Sequence, residues 1–304
     1  MKVGNGPFTY EVVEDWGRLP ADWRLGQTAA VATDSFDRVY VFHRPPGDEP
    51  PVLVFDREGT LVASWGRGVL DDAHGMFIGP DAAAGGAERL WLVDRGPHVV
   101  HKCTLDGQVL QTLGTHGTAG QQAPFNRPTD VAVAPNGDVY VADGYGNARV
   151  HRFAADGRLL RSWGTPGTGP GEFNLVHSVW FDHRGAELAG EGHEAGGRVL
   201  VADRQNHRIQ RFTPEGEYLG EWTGFRQPTD LFVDAEGFIY VPELQHRLSI
   251  LAPDGEVVAR WGGESRREPG WFVAPHGAWV DSHGDLYICE VLQGQRIQKF
   301  ARCR

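Results

Sequence analysis

Six times along this chain a short apolar run follows a turn, and in five of them two more strand-like segments follow it, in the last only one. The runs start near Val39, Leu90, Val139, Val199, Phe238 and Leu286. Val139-Tyr140-Val141, Ile239-Tyr240-Val241 and Leu286-Tyr287-Ile288 have the residue types of a strand, and turns such as Pro135-Asn136-Gly137-Asp138 lead into them. Ahead of those turns lie segments that superimpose: AHGMFI at 73–78, PTDVAV at 128–133, VHSVWF at 176–181, PTDLFV at 228–233 and PHGAWV at 275–280. Behind each run comes a third segment, as in 149–153 and 208–212, then an Asp-Gly or Glu-Gly turn. A fourth segment then ends in Trp-Gly or its like at Trp65, Trp163, Trp222 and Trp261. Four strands returning every 40 residues or so cannot cover their own faces, but stacked around an axis they form the blades of a propeller.

The expected fold is therefore all-β, a six-bladed β-propeller. Its blades are placed at about 25–66, 72–114, 125–164, 173–223, 225–262 and 272–304. The last blade stops after its third strand, at Phe300, and FTYEVVEDWG at 8–17 carries the missing Trp-Gly ending, so the N-terminal strand is expected to close the ring. The 304 residues then form a single domain, with no Pro/Ser-rich linker interrupting the repeat.

Composition narrows the partners. A net charge of −11 argues against nucleic acid, whose binding draws its energy from Lys and Arg on phosphates. No apolar run approaches the roughly 20 residues that span a bilayer, and MKVGNGPFTY lacks the apolar core of a signal peptide. The expectation is a cytoplasmic monomer that binds no membrane. Cys103, Cys289 and Cys303 are an odd number in a long chain, so no disulfide framework is expected.

The aligned segments make His74, Thr129, His177, Thr229 and His276 equivalent, with histidine in blades two, four and six. Thirteen histidines scattered at random do not fall into that pattern. The first strand of a propeller blade faces the central channel, so the three imidazoles are expected to converge with approximate three-fold symmetry. Three histidines with a coordination position left open form the ligand set of a catalytic zinc, although imidazole also suits other divalent transition metals.

A second set lies just after strand two, at the same mouth: His43-Arg44, Asp94-Arg95, Asp143-Gly144-Tyr145, Asp203-Arg204, Glu243 and Glu290. The acid recurs in five of these six and reads as structural, a holder of loop amides or of a neighbouring arginine. Arg44, Arg204 and Tyr145 break the repeat. Arginines beside a metal suit a planar carboxylate, and a tyrosine there can exchange protons with a substrate. The stiff loop RPPGDEPP at 44–51 is a candidate rim on this face. The insertions at 80–89 and 184–198 should emerge on the opposite one.

The third segments NARV at 147–150, NHRI at 206–209 and QHRL at 245–248 resemble the motif of NHL-repeat propellers. The longer motifs resemble peptidylamidoglycolate lyase, a six-bladed propeller of this repeat type: FHR at 42–44, His-Gly at 74–75, PTDVAV with DGY and N-x-R at 143–149, FN-x-x-HS at 173–178, ADR-x-N-x-RIQ at 202–210 and PH at 275–276. The resemblance implies zinc on His74, His177 and His276, Arg44 on the substrate carboxylate, and Tyr145 as proton-transfer residue with Arg204 beside it. It implies a carbon–nitrogen lyase that splits an N-acyl α-hydroxyglycine into an amide and glyoxylate. Such a carbinolamide falls apart once its hydroxyl is deprotonated. Gly277 stands where the family often has an acid serving a calcium site, which argues against calcium here, and Gly146 replaces a cysteine of secreted members. Arg95 adds a cation for which the resemblance supplies no role. No copper monooxygenase domain accompanies the repeat, so the leaving group need not be a peptide, and a small N-acyl or ureido hydroxyglycine fits. Two alternatives remain: a metal-dependent lactonase or hydrolase using Asp130 and Asp230 in the channel, and a non-catalytic interaction propeller.

Overall fold

The computed structural model describes residues 1–120, 125–184 and 196–303. Its strands form six antiparallel sheets arranged as propeller blades, in five of which four strands are hydrogen-bonded in chain order, and one small parallel pair, Thr165–Pro166 with Glu172–Phe173. Blade two is typical, with strands Ala73–Asp81, Ala87–Asp94, Val99–Cys103 and Val109–Gly114. Blade four repeats it with Val176–Asp182, Arg198–Asp203, Arg208–Phe212 and Tyr218–Trp222. Blade six is made of Pro275–Val280, Leu286–Glu290 and Arg296–Arg302, to which the N-terminal strand Phe8–Val13 adds through the pairs Val12↔Phe300 and Tyr10↔Arg302.

One strand was not legible in the sequence. Lys2–Asn5 folds back on Phe8–Val13 and makes blade six five-stranded. Four partly exposed residues carry no alternation to read. The turn becomes visible only through Gly6 at φ 54°. The Asn5 side chain then donates to Val258 O at 3.0 Å, fastening the closing hairpin to blade five.

The Trp-Gly endings and the Asp-Gly turns explain each other. The turn glycine between strands three and four has a positive φ, 94° at Gly107 and 85° at Gly216, which excludes most side chains. A Cβ there would also meet the tryptophan of the preceding blade, Trp65 at 2.6 Å for Gly107 and Trp163 at 2.6 Å for Gly216. Each indole thus fills the space above the next blade's turn, and neighbouring blades lock together. Between blades the core is apolar, with Tyr40, Tyr140, Tyr240 and Tyr287 among its largest fully buried side chains. Cys103 and Cys289 are buried and Cys303 is half-buried, and all three are free thiols.

The recurring acids hold loops, as expected. Asp203 accepts from the Asn174 amide at 2.8 Å and from Arg208 Nε at 2.8 Å, and Glu290 accepts from the Val273 amide and from Arg296. In blade one His43 takes over the task, its Nδ1 accepting from the Gly26 amide at 3.2 Å. The segment 44–51 joins strands at the end of blade one where Arg44 lies. The insertion at 80–89 joins strands one and two of blade two at the other end. Most of the 184–198 insertion, residues 185–195, lies outside the described residues.

Candidate metal centre

Each of the three aligned histidines sits at an irregularity of an inner strand. The register shifts between Val176 and Ser178 and between Pro275 and Gly277, and the shift in blade two spans His74 and Gly75. Such a bulge turns one extra residue toward the channel without disturbing the strand beyond it. His74, His177 and His276 are consequently buried, and their ring nitrogens lie within 4.8 Å of one another.

A belt of hydrogen bonds fixes which nitrogen faces the axis. Nδ1 of His74 donates to Thr129 O at 2.5 Å, Nδ1 of His177 to Thr229 O at 2.6 Å, and Nδ1 of His276 to Ala29 O at 2.7 Å. The acceptor is always the equivalent residue of the next blade. Thr129 and Thr229 continue the belt: their Oγ1 hydroxyls lie 2.9 Å from Val176 O and 3.1 Å from Pro275 O, the carbonyls just before the next histidine, and share their proton with Ala142 O at 3.1 Å and Pro242 O at 2.9 Å in their own blades. With the proton held on Nδ1, the Nε2 lone pairs point inward, the outer-shell pattern that fixes tautomer and ring orientation in metal sites.

The rings are also held neutral. Burial pushes the pKa of His276 down to about 3, with Arg44 adding to the effect. Burial likewise takes His74 and His177 well below the usual imidazole range, followed by His276 for the former and Arg204 for the latter. Three neutral Nε2 acceptors converging in a buried space need an electrophile. Tyr145 Oη lies 3.2 Å from His74 Nε2 and 3.4 Å from His177 Nε2 and has one proton to give. Among the described residues no protein donor meets His276 Nε2. This donor set fits a divalent transition metal.

Tyr145 reaches the histidines because blade three can lean on blade four. A Cβ at Gly144 would lie 1.7 Å from Val176 O, so only glycine permits that approach next to His177. Around the phenol stand the arginines. Arg204 Nη1 is 3.5 Å from Tyr145 Oη, and the Arg95 guanidinium lies 4.9 Å from the centre of the Tyr145 ring. Arg44 donates to Ala73 O at 2.9 Å and to Gln27 Oε1 at 3.1 Å. The structure thus brings Arg44, Tyr145 and Arg204 to the mouth above the three histidines, with Arg95 among them.

Asp72 was not singled out in the sequence. Its carboxylate receives Arg44 Nε at 3.0 Å and Arg95 through Nε at 2.8 Å and Nη2 at 3.0 Å. Burial opposes the charge on Arg95, yet Asp72 holds its pKa above the usual value. At Arg44, burial and then the repulsion of Arg95 prevail and lower it. Asp72 thus pairs with two of the three guanidiniums, and Arg204 stands apart from it beside the phenol.

Below the histidines the channel holds a second layer. Ser178 Oγ lies 2.6 Å from Asp130 Oδ2 and 3.0 Å from Asp230 Oδ1, and the amides of Val179 and Ala278 donate to the same two carboxylates at 3.1 and 2.9 Å. One hydroxyl proton cannot serve both carboxylates at once. Burial raises both pKa values, that of Asp230 to about 6. Asp130 and Asp230 are therefore engaged with each other's surroundings, which leaves little of them for a lactonase-type metal. A third layer closes the channel: Phe77, Trp180 and Trp279, each three residues beyond a ligand histidine, lie with ring centres 5.8 to 6.3 Å apart. That aromatic register is visible in AHGMFI, VHSVWF and PHGAWV once the histidines are aligned.

Residues 125–153 match the model of the NHL repeat. NHL repeat-containing protein 3 of Homo sapiens is 35% identical over 225 residues, covering 70% of this chain and 59% of that protein. A probable peptidyl-alpha-hydroxyglycine alpha-amidating lyase of Caenorhabditis elegans is 33% identical over 185 residues, covering 59% of this chain and 48% of the other. The matches thus span less than two thirds of the length of these curated relatives. A gluconolactonase from Xanthomonas campestris superposes with a TM-score of 0.62 over 91% of this chain and 86% of its own, at 13% identity, a likeness of fold alone. The chain is a six-bladed propeller that carries an NHL repeat at residues 125–153 and is similar to the amidating lyases. No helix among its described residues is long and apolar enough to cross a membrane.

Proposed function

We propose that the protein is a metal-dependent carbon–nitrogen lyase that cleaves an N-acyl α-hydroxyglycine to an amide and glyoxylate. One observation carries the reading: the Tyr145 hydroxyl touches two of three converging, neutral imidazole Nε2 atoms at a mouth ringed by arginines. Zinc held by His74, His177 and His276 supplies a Lewis acid that makes the substrate hydroxyl easier to ionise.

The remaining work falls to side chains of this chain. Arg44 has its Nε and Nη1 sides fixed by Asp72, Ala73 O and Gln27, and its remaining edge binds the substrate carboxylate as a planar pair. Acting as the phenolate, its own proton already lost to solvent, Tyr145 Oη accepts the hydroxyl proton. The C–O bond becomes the carbonyl of glyoxylate, the C–N bond breaks, and its electron pair goes to nitrogen. Tyr145 returns the proton to that nitrogen, which completes the amide. Arg204, beside Oη, stabilises the charge that passes through the phenol oxygen. The Phe77, Trp180 and Trp279 layer bars entry from below, so substrate arrives through the arginine-lined mouth.

The test is metal content together with glyoxylate release from α-hydroxyhippurate, comparing the parent with the triple variant His74→Ala, His177→Ala, His276→Ala. About one zinc per chain, with glyoxylate formed by the parent alone, is expected for a three-histidine catalytic site. A folded parent that binds no metal and releases no glyoxylate refutes the proposal in favour of a non-catalytic propeller.

A further inference from the structure

Arg95 stands at the position of its blade that Arg44 and Arg204 hold in theirs, Asp72 lies close by, and the reaction as written above uses neither Arg95 nor Asp72. Their geometry is nonetheless specific. Asp72 lies in the segment just before the inner strand of blade two, and Arg95 just after the second strand of that blade. The carboxylate clamps Arg95 through two nitrogens and reaches across to Arg44 of blade one. The clamped guanidinium then stands over the Tyr145 ring of blade three at 4.9 Å, with Arg204 of blade four at 5.7 Å from the same ring. One carboxylate thereby ties the arginine beside the metal to the cation resting on the phenol.

We propose that Asp72 and Arg95 form a bracket that positions Tyr145 over the His74 and His177 Nε2 atoms and holds it in register with Arg44. Both are positioning residues. The role of Tyr145 as proton carrier rests on the lyase reading above, whereas the bracket itself is a statement about where the ring sits. Arginine is required because a planar fork can bind a carboxylate through two nitrogens and still lie over an aromatic ring, which a lysine ammonium cannot do.

The experiment uses zinc-loaded protein and the variants Arg95→Met, Arg95→Lys, Asp72→Asn, Tyr145→Phe and Arg95→Met/Tyr145→Phe. Glyoxylate release from α-hydroxyhippurate is read as kcat and KM separately. Arg95→Met is expected to lower kcat about 10- to 100-fold with KM changed less than about 3-fold, the signature of a misplaced group rather than a lost contact. Lysine should not restore the rate, and the double variant should be no slower than Tyr145→Phe alone. A second readout needs no turnover. In protein labelled with 3-fluorotyrosine, the Tyr145 fluorine resonance, assigned by its loss in Tyr145→Phe, should shift or broaden in Arg95→Met and Asp72→Asn. An active parent whose kcat and resonance are untouched by these changes overturns the bracket. So does a rise in KM of more than about 10-fold at constant kcat, which would put Arg95 on the substrate instead, and so does full rescue by lysine. An inactive parent whose resonance still moves would retire the lyase reading and leave the bracket standing.

Discussion

Replacing His276 by Gln in the metal-free protein should flatten part of its acid sensitivity. The folded pKa of His276 is about 3 against an ordinary 6.5, because the ring is buried and faces Arg44. Between those values the unfolded chain holds a proton that the folded chain refuses. The stability contributed by the neutral ring is therefore whole above about pH 6.5 and is lost as pH falls toward about 3. At about 1.36 kcal/mol per pH unit, lowering the pH from 7.5 to 5.0 removes ~2 kcal/mol through this one residue. His74 and His177 are shifted in the same direction. Asp130 and Asp230 act in the opposite sense: their raised values give stability that is present at low pH and lost as pH rises, through about 6 for Asp230. The whole-protein curve mixes these terms, so the useful quantity is a difference of differences. Urea unfolding of chelator-treated parent and His276→Gln, followed by tryptophan fluorescence at pH 7.5 and 5.0, should show the parent losing ~2 kcal/mol more than the variant. Parallel losses, equal to within ~0.5 kcal/mol, would refute the claim that His276 is held neutral by burial.

Other outcomes follow from the same geometry. Tyr145→Phe should retain zinc, because no ligand is lost, yet lower kcat for glyoxylate release by about 10²- to 10⁴-fold. Arg44→Met should raise KM for carboxylate-bearing substrates, a loss of ~2 to 5 kcal/mol in kcat/KM that is measured by steady-state kinetics. Trp163→Ala should cost ~3 to 5 kcal/mol in urea unfolding by emptying the space above the Gly216 turn. Metal content at that variant's folded baseline should be unchanged, since the indole lies in the outer strand, away from the channel.

The parts of the molecule that repeat were the parts legible in the sequence. His74, His177 and His276 could be found because the turns, the apolar runs and the Trp-Gly endings recur in phase with them and fix their register, and Arg44, Tyr145 and Arg204 stood out against the acids of that same register. The aromatic layer was equally periodic, and was missed only because the apolar residues of an inner strand look alike until the bulge shifts their parity. Asp72 is different in kind. It stands where other blades have Arg127, Leu175, Gln227 and Ala274, side chains too varied to mark the position, and its importance comes from two arginines distant in sequence, Arg44 in a different blade. Asp130 and Ser178 are likewise 48 residues apart in sequence and meet only in the channel. Short-range pattern can place such residues on a face, but it cannot say which of them touch.

Three-fold chemistry in a six-fold ring follows from size and from hydrogen bonding. Imidazole rings with centres 4.8 to 4.9 Å apart already fill the axis, so six could not converge there. The intervening blades are then free for another task, and each supplies the carbonyl that fixes its neighbour's Nδ1–H. A histidine placed at Thr129 would keep that carbonyl but lose the Oγ1 link to Val176 O, and its ring would enter the space between His74 and His177. Alternation thus gives each ligand its own positioning partner and leaves the groups just after strand two to differ from blade to blade. That freedom is what allows one symmetric cluster of imidazoles to be flanked by an asymmetric set: Arg44, Arg95, Tyr145 and Arg204 on successive blades. An asymmetric substrate, with a carboxylate at one end and an amide at the other, can be told apart end from end only by such a set.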